Sequence, residues 1–130
     1  MSSFFLVKAR GNGTYKNEVH VFAHRENGIE EMIVEDPRAV VLKSMKMKET
    51  DEGTEIIIDH VHAFIPYARE GQKGVKTTFD RFLKYALDKQ KLKAVLLLER
   101  KKGEYIGSLI VTYEYKDGFF QGTHIDFIRH

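Results

Sequence analysis

Cysteine and tryptophan are absent from the 130 residues, and proline occurs only twice, at Pro37 and Pro66. Without cysteine the chain has no disulfide framework, no thiolate nucleophile and no thiolate metal ligand. That usage suits a reducing compartment, so a cytoplasmic protein is expected. No proline-rich linker, repeat or low-complexity tract divides the chain, and residues 1–130 read as a single domain. Long apolar runs are also missing. The N-terminal run at residues 4–7 is too short for a signal-peptide core, and nothing approaches the roughly 20 residues that cross a bilayer. Neither sign of charge dominates: 21 Lys and Arg face 19 Asp and Glu, for a net charge of +2. This mild basicity is compatible with a polyanionic partner but does not demand one. With 42% hydrophobic and 31% charged residues, the composition is that of a packed domain rather than a disordered one.

What is present is a regular series of glycine-containing turns: Asn12-Gly13, Asn27-Gly28, Asp51-Glu52-Gly53, Lys101-Lys102-Gly103 and Lys116-Asp117-Gly118. Each separates two strand-like runs, and hairpin turns need positive φ angles that glycine adopts freely. Closing Asn27-Gly28 as a two-residue loop sets Arg25 opposite Glu30, His24 opposite Glu31, Ala23 opposite Met32 and Val21 opposite Val34. Closing 101–103 as a three-residue loop sets Arg100 opposite Glu104, Leu98 opposite Ile106 and Val95 opposite Leu109. The 116–118 turn sets Tyr115 opposite Phe119 and Leu109 opposite Ile125.

One helix is predicted, over about residues 78–91. Phe79, Phe82, Leu83, Ala86 and Leu87 recur at helical spacing, Thr77 can cap it with Asp80 three residues on, and lysines crowd its end. The run 94–98 is apolar on both faces and reads as a central strand. The predicted fold is α+β and mostly antiparallel. It has about eight strands in successive hairpins, in a strongly curved sheet, sandwich or open barrel, with the amphipathic helix between strands five and six.

Residues 39–48 and 55–65 are expected to pair across a loop at 50–53, with Lys48 opposite Glu55, Met47 opposite Ile56 and Met45 opposite Ile58. His60 and His62 would then continue the apolar face beside Lys43 and Val41. Two imidazoles about 6.6 Å apart along a strand can share a metal, but zinc takes at least three protein ligands. His20, or His124 with Asp126, would have to converge on them, and no metal is expected. Three readings remain for the histidines: packing in the core, a small-molecule or nucleotide pocket of Lys43, His60, His62 and His124, or a metal-dependent hydrolase on His60, His62 and His124. Ser44 and Ser108 stand in no nucleophile setting, no carboxylate pair stands out, and neither catalysis nor a cofactor is expected.

Arg69, Lys73 and Lys76 charge the glycine-punctuated stretch 67–80, which leads into the predicted helix and lacks the Gly-Lys-Ser/Thr of a phosphate-cradling loop. With Asn12-Gly13 as a turn, Phe5 lies opposite His20 and Phe4 opposite Val21. Phe4, Leu6, Val19, Val21 and Ala23 then share the core face. Phe5, Val7, His20, Phe22, His24 and Ile33 share the other, a mixture suited to stacking unpaired bases. The leading expectation is a non-catalytic protein that binds single-stranded nucleic acid or RNA. Phe5, His20 and Phe22 would stack bases while Arg69, Lys73, Lys76, Lys101 and Lys102 contact phosphates. A homo-oligomeric assembly module, pairing through strand edges, is the structural alternative.

Overall fold

The computed structural model describes residues 3–10, 17–58, 61–67, 77–79, 83–89, 91–101 and 104–130. The described strands are β1 (Ser3–Arg10), β2 (Asn17–Arg25), β3 (Gly28–Val34), β4 (Met45–Glu49), β5 (Gly53–Ile58), β6 (Val61–Pro66), β7 (Leu83–Asp88), β8 (Lys91–Lys101), β9 (Glu104–Lys116) and β10 (Phe119–Arg129), with a helix, α1 (Pro37–Ser44), between β3 and β4. Seven strands form one strongly curled sheet in the order β1-β2-β3-β10-β9-β8-β7, and β4-β5-β6 form a second. Neighbours run antiparallel except β3 and β10, whose parallel pairing covers Ile33–Val34 and Phe119–Phe120. The curl brings β7 up to β1 and β2, which makes the large sheet a half-barrel. The α+β class and the hairpins agree with expectation.

The core lines the concave side. Leu92, Ala94, Leu96 and Leu98 of β8, Leu109, Val111 and Tyr113 of β9, and Phe120 and Ile125 of β10 are buried, and Val21, Ala23 and Met32 join them. The sets on β2, β8 and β9 alternate along their strands, as burial of one sheet face requires, and on β10 the irregularity between Gly122 and His124 brings both Phe120 and Ile125 inward. Among the described residues no helix is long and apolar enough to cross a membrane.

The helix predicted over 78–91 is not formed. Leu83–Asp88 is β7, paired with β8 from Leu83↔Leu96 to Asp88↔Lys91 through a turn that holds Lys89 at φ 50°. Leu83 and Leu87, four apart, fit period two as well as period 3.6, and with Tyr85 between them they pack on the core. Pairing with the eleven-residue β8 outweighs the local helical preference.

The observed helix replaces the first part of the expected strand 39–48. The Asp36 side chain accepts from the Arg38 amide at 3.0 Å, Pro37 occupies the first turn, and Val40 N–H donates to the Asp36 carbonyl. This is how a short helix starts: an acidic cap, then a proline whose missing N–H costs nothing there. The helix buries Pro37, Val40 and Val41 and leaves Leu42 exposed. Val40 reaches the sheet at Gly122, where any Cβ would stand 2.6 Å from a Val40 methyl. Glu35 fastens the junction by accepting from the Gly122 amide at 3.1 Å and from Lys43 at 3.2 Å, while Tyr113 donates to its carbonyl at 2.8 Å.

The registers explain which faces agree with expectation. Around the first two turns the pairing shifts by two: Phe5 lies opposite Phe22, and Val21 opposite Met32. An even shift leaves every residue on its expected face. The β2–β3 turn is Glu26-Asn27, and Gly28 beyond it stands at φ 123°. The β9–β10 turn is Asp117-Gly118, both at positive φ, and a register shift between Gly122 and His124 puts Ile125 opposite Val111. Between β8 and β9 the change is odd. Leu96, not Val95, lies opposite Leu109, and the alignment jumps around Glu99. An apolar run with no polar alternation carries no signal for one face over the other.

A candidate nucleic-acid interface and the polar junction behind it

The β4–β5 register is the expected one: Met45↔Ile58, Met47↔Ile56 and Lys48↔Glu55. Beyond Ile58 the path departs from expectation. The chain reverses between Ile58 and Val61, and β6 returns along β5. Ile58 and Val61 are partners, so the odd-numbered residues of β6 share the face of Ile56 and Ile58. His62 therefore turns to the opposite face, where its side chain is 64% exposed and meets Glu55 at 2.6 Å.

The expected pocket residues lie on separate elements. Lys43 is on α1 with Glu35, His62 on β6 with Glu55, and His124 on β10 with Asp126 at 3.0 Å. His60 falls outside the described residues. No group of three or more His, Asp or Glu among the described residues is placed to hold a metal ion.

The outer face of the small sheet gathers groups from all three strands. One row across it reads Lys46, Ile57, His62, and the next reads Lys48, Glu55, Phe64. Both lysines are exposed, and Phe64 is 43% exposed. Strands lie about 4.8 Å apart and alternate residues about 6.6 Å apart. The face thus sets two ammonium groups along one edge and an imidazole and a phenyl ring along the other, roughly 10 Å away. β6 leads through Tyr67 towards the segment carrying Arg69, Lys73 and Lys76, which lies outside the described residues, as does Lys102 and the side chain of Lys101.

The aromatic face of the large sheet is on its convex side, opposite the core. His20 and Phe22 are both half-buried, and their rings stack with centroids 6.3 Å apart. Phe5 lies opposite Phe22 in register. Glu31, opposite Phe22 on the neighbouring strand, is exposed on this face and pairs with His20. Its charge works against a phosphate chain at this place.

Behind the small sheet, a polar network joins it to β8. Arg100 is 4% exposed. It donates to the Pro66 carbonyl at 2.9 Å, to Thr54 Oγ1 at 3.0 Å and to the Ile65 carbonyl, while its guanidinium lies 4.8 Å from the Tyr67 ring centre. The break in alternation at Glu99 accompanies its placement, as bulges commonly re-aim a side chain. Thr54 donates to Glu49 Oε2 at 2.7 Å, as does Tyr67 at 2.7 Å, and the Thr77 amide donates to Oε1 at 3.2 Å. With the Thr54 proton committed, the Thr77 hydroxyl 3.3 Å away is the donor between the two threonines. Partial burial alone would raise the pKa of Glu49, but these hydrogen bonds outweigh it and hold the carboxyl below its ordinary value. The bond from Tyr67 to Glu49 raises the pKa of Tyr67.

Compared with protein-family models, with curated proteins and with solved structures, the chain matches none. Lys46, Lys48 and Phe64 were missed in the sequence although their signal was present: MKMKE alternates strictly, and HAF repeats a ring at period two. The reversal between Ile58 and Val61, which brings the two segments onto one face, carries no glycine.

Proposed function

We propose that the protein is a non-catalytic binding protein for single-stranded nucleic acid, RNA included, and that the outer face of the small sheet is its platform. The observation supporting this reading is the two-edged face itself, with lysines 46 and 48 on one side and His62 and Phe64 on the other. A base stacks on Phe64 while the backbone follows the lysines; such stacking is worth about 1–3 kcal/mol per base and is indifferent to sequence. Its acid, Glu55, is half-buried against His62. The His20–Phe22 pair is a second stacking surface, weakened by Glu31.

The test is fluorescence anisotropy with labelled dT and rU dodecamers between 20 and 200 mM salt. Phe64→Ala lowers affinity about thirtyfold, the middle of the stacking range. Each phosphate contact on a single strand contributes about 0.7 to the logarithmic salt slope. Lys46→Gln with Lys48→Gln therefore flattens the slope by about 1.4. The paired change His20→Ala with Phe22→Ala costs less than Phe64→Ala. Absence of binding at 20 mM salt refutes the reading.

A further inference from the structure

The inner side of β4 faces a different environment from its lysine side. Between α1, β4 and residues 77–79 lies a cavity of about 350 Å³. At roughly 30 Å³ per water it would take about a dozen waters, and it falls at the lower end of small-ligand pockets. Val41, Leu42, Met45, Met47 and Phe79 make its walls apolar, and no charged side chain lines it among the described residues. The polar lining is Thr77 and Thr78. The Thr77 hydroxyl is turned to Thr54. Thr78 commits its backbone N–H and carbonyl to Glu99, at 2.8 Å each, and its hydroxyl has no partner among the described residues.

We propose that this cavity binds a small, neutral, mostly apolar molecule of roughly ten non-hydrogen atoms bearing one hydroxyl or carbonyl group. The apolar walls supply affinity, the thioethers of Met45 and Met47 adapt to shape, and the Thr78 hydroxyl pairs with the single polar group. A carboxylate or ammonium would give up part of its water and meet no opposite charge among the described residues, so it binds more weakly than a neutral molecule. The site is independent of the nucleic-acid reading.

The test uses the full chain with ¹³C-methyl methionine and 1-octanol as the probe. Octanol shifts the methyl signals of Met45 and Met47, while that of Met32, buried in the core on β3, stays in place. Octanoate binds at least tenfold more weakly at neutral pH. Thr78→Val, which keeps the shape and removes the hydroxyl, weakens octanol binding about fivefold, the effect of one neutral hydrogen bond. Met47→Trp, which fills the cavity, abolishes it; melting temperature and circular dichroism verify that each variant is folded. Unmoved Met45 and Met47 signals overturn the proposal. So does octanoate binding as tightly as octanol, or a folded Thr78→Val protein with unchanged affinity.

Discussion

Replacing Arg100 by methionine tests whether the guanidinium holds the small sheet to the half-barrel. Methionine keeps the apolar stem and removes the fork. The Pro66 and Ile65 carbonyls then lose their side-chain donor, whereas Thr54 keeps Glu49 and Thr77. A buried acceptor left without a partner costs about 1–3 kcal/mol, so the buried Ile65 carbonyl costs about 2 and the part-buried Pro66 carbonyl about 1. Loss of the contact with Tyr67 adds about 1 kcal/mol. In the opposite direction, Arg100 Nε is buried with no partner among the described residues, and its removal returns about 2 kcal/mol. The net loss is about 2 kcal/mol, or near 8 °C in melting temperature at about 4 °C per kcal/mol for a domain of this length. Arg100→Lys can still reach one carbonyl and loses about half as much. Hydrogen exchange locates the damage: amides of Ile56 and Ile58 speed up in the methionine variant while those of Leu96 and Val111 keep their protection. A methionine variant that melts within 3 °C of the parent refutes the reasoning, as does acceleration spread evenly over both sheets.

Two further outcomes rest on the same geometry. Gly122→Ala drives a methyl group into Val40 and destabilises by about 1–3 kcal/mol in urea unfolding; combining it with Val40→Ala recovers part of that loss, so the two changes are not additive. The folded-state pKa of Glu49 is depressed, so its contribution is complete above the unfolded carboxylate value and fades as pH falls through the folded one. The melting difference between the parent and Glu49→Gln is therefore flat above about pH 5.5 and shrinks below about pH 4, and a difference that widened on acidification would contradict the assignment.

Local alternation was legible in the sequence wherever polar and apolar residues take turns. Val21, Ala23 and Met32 went to the core, and Leu109, Val111 and Tyr113 to one face, even where the pairing was two residues off. A two-residue error leaves side-chain direction unchanged. The failures come from segments whose pattern satisfies two periods at once. In 83–87 the apolar residues suit a helix or a strand, and only the presence of β8 alongside decides. In 94–98 both faces are apolar, and the choice falls to what covers each face from outside the strand. The helix at Pro37–Ser44 has its start written as Asp36-Pro37, but Val40 and Val41 favour extended structure by propensity and masked it.

The candidate interface was half legible, for a related reason. Lys46 and Lys48 can be placed from the β4–β5 alignment, which the Met and Ile pattern imposes. Placing His62 requires knowing whether 55–65 is one strand or two. The reversal changes the parity of every later residue, so a single turn without glycine moves His62 from an inward pocket to an outward platform and brings Phe64 into line with Lys48. The consequence lies in the chemistry. An inward His60–His62 pair beside Lys43 argues for a buried ligand, whereas outward His62 and Phe64 facing two lysines argue for a long, flexible anion. The same alternation turns Met45 and Met47 of β4 the other way, into the apolar cavity. The polyanion reading and the neutral-ligand reading thus share one strand, and the alternation that separates its lysines from its methionines gives each ligand its own face.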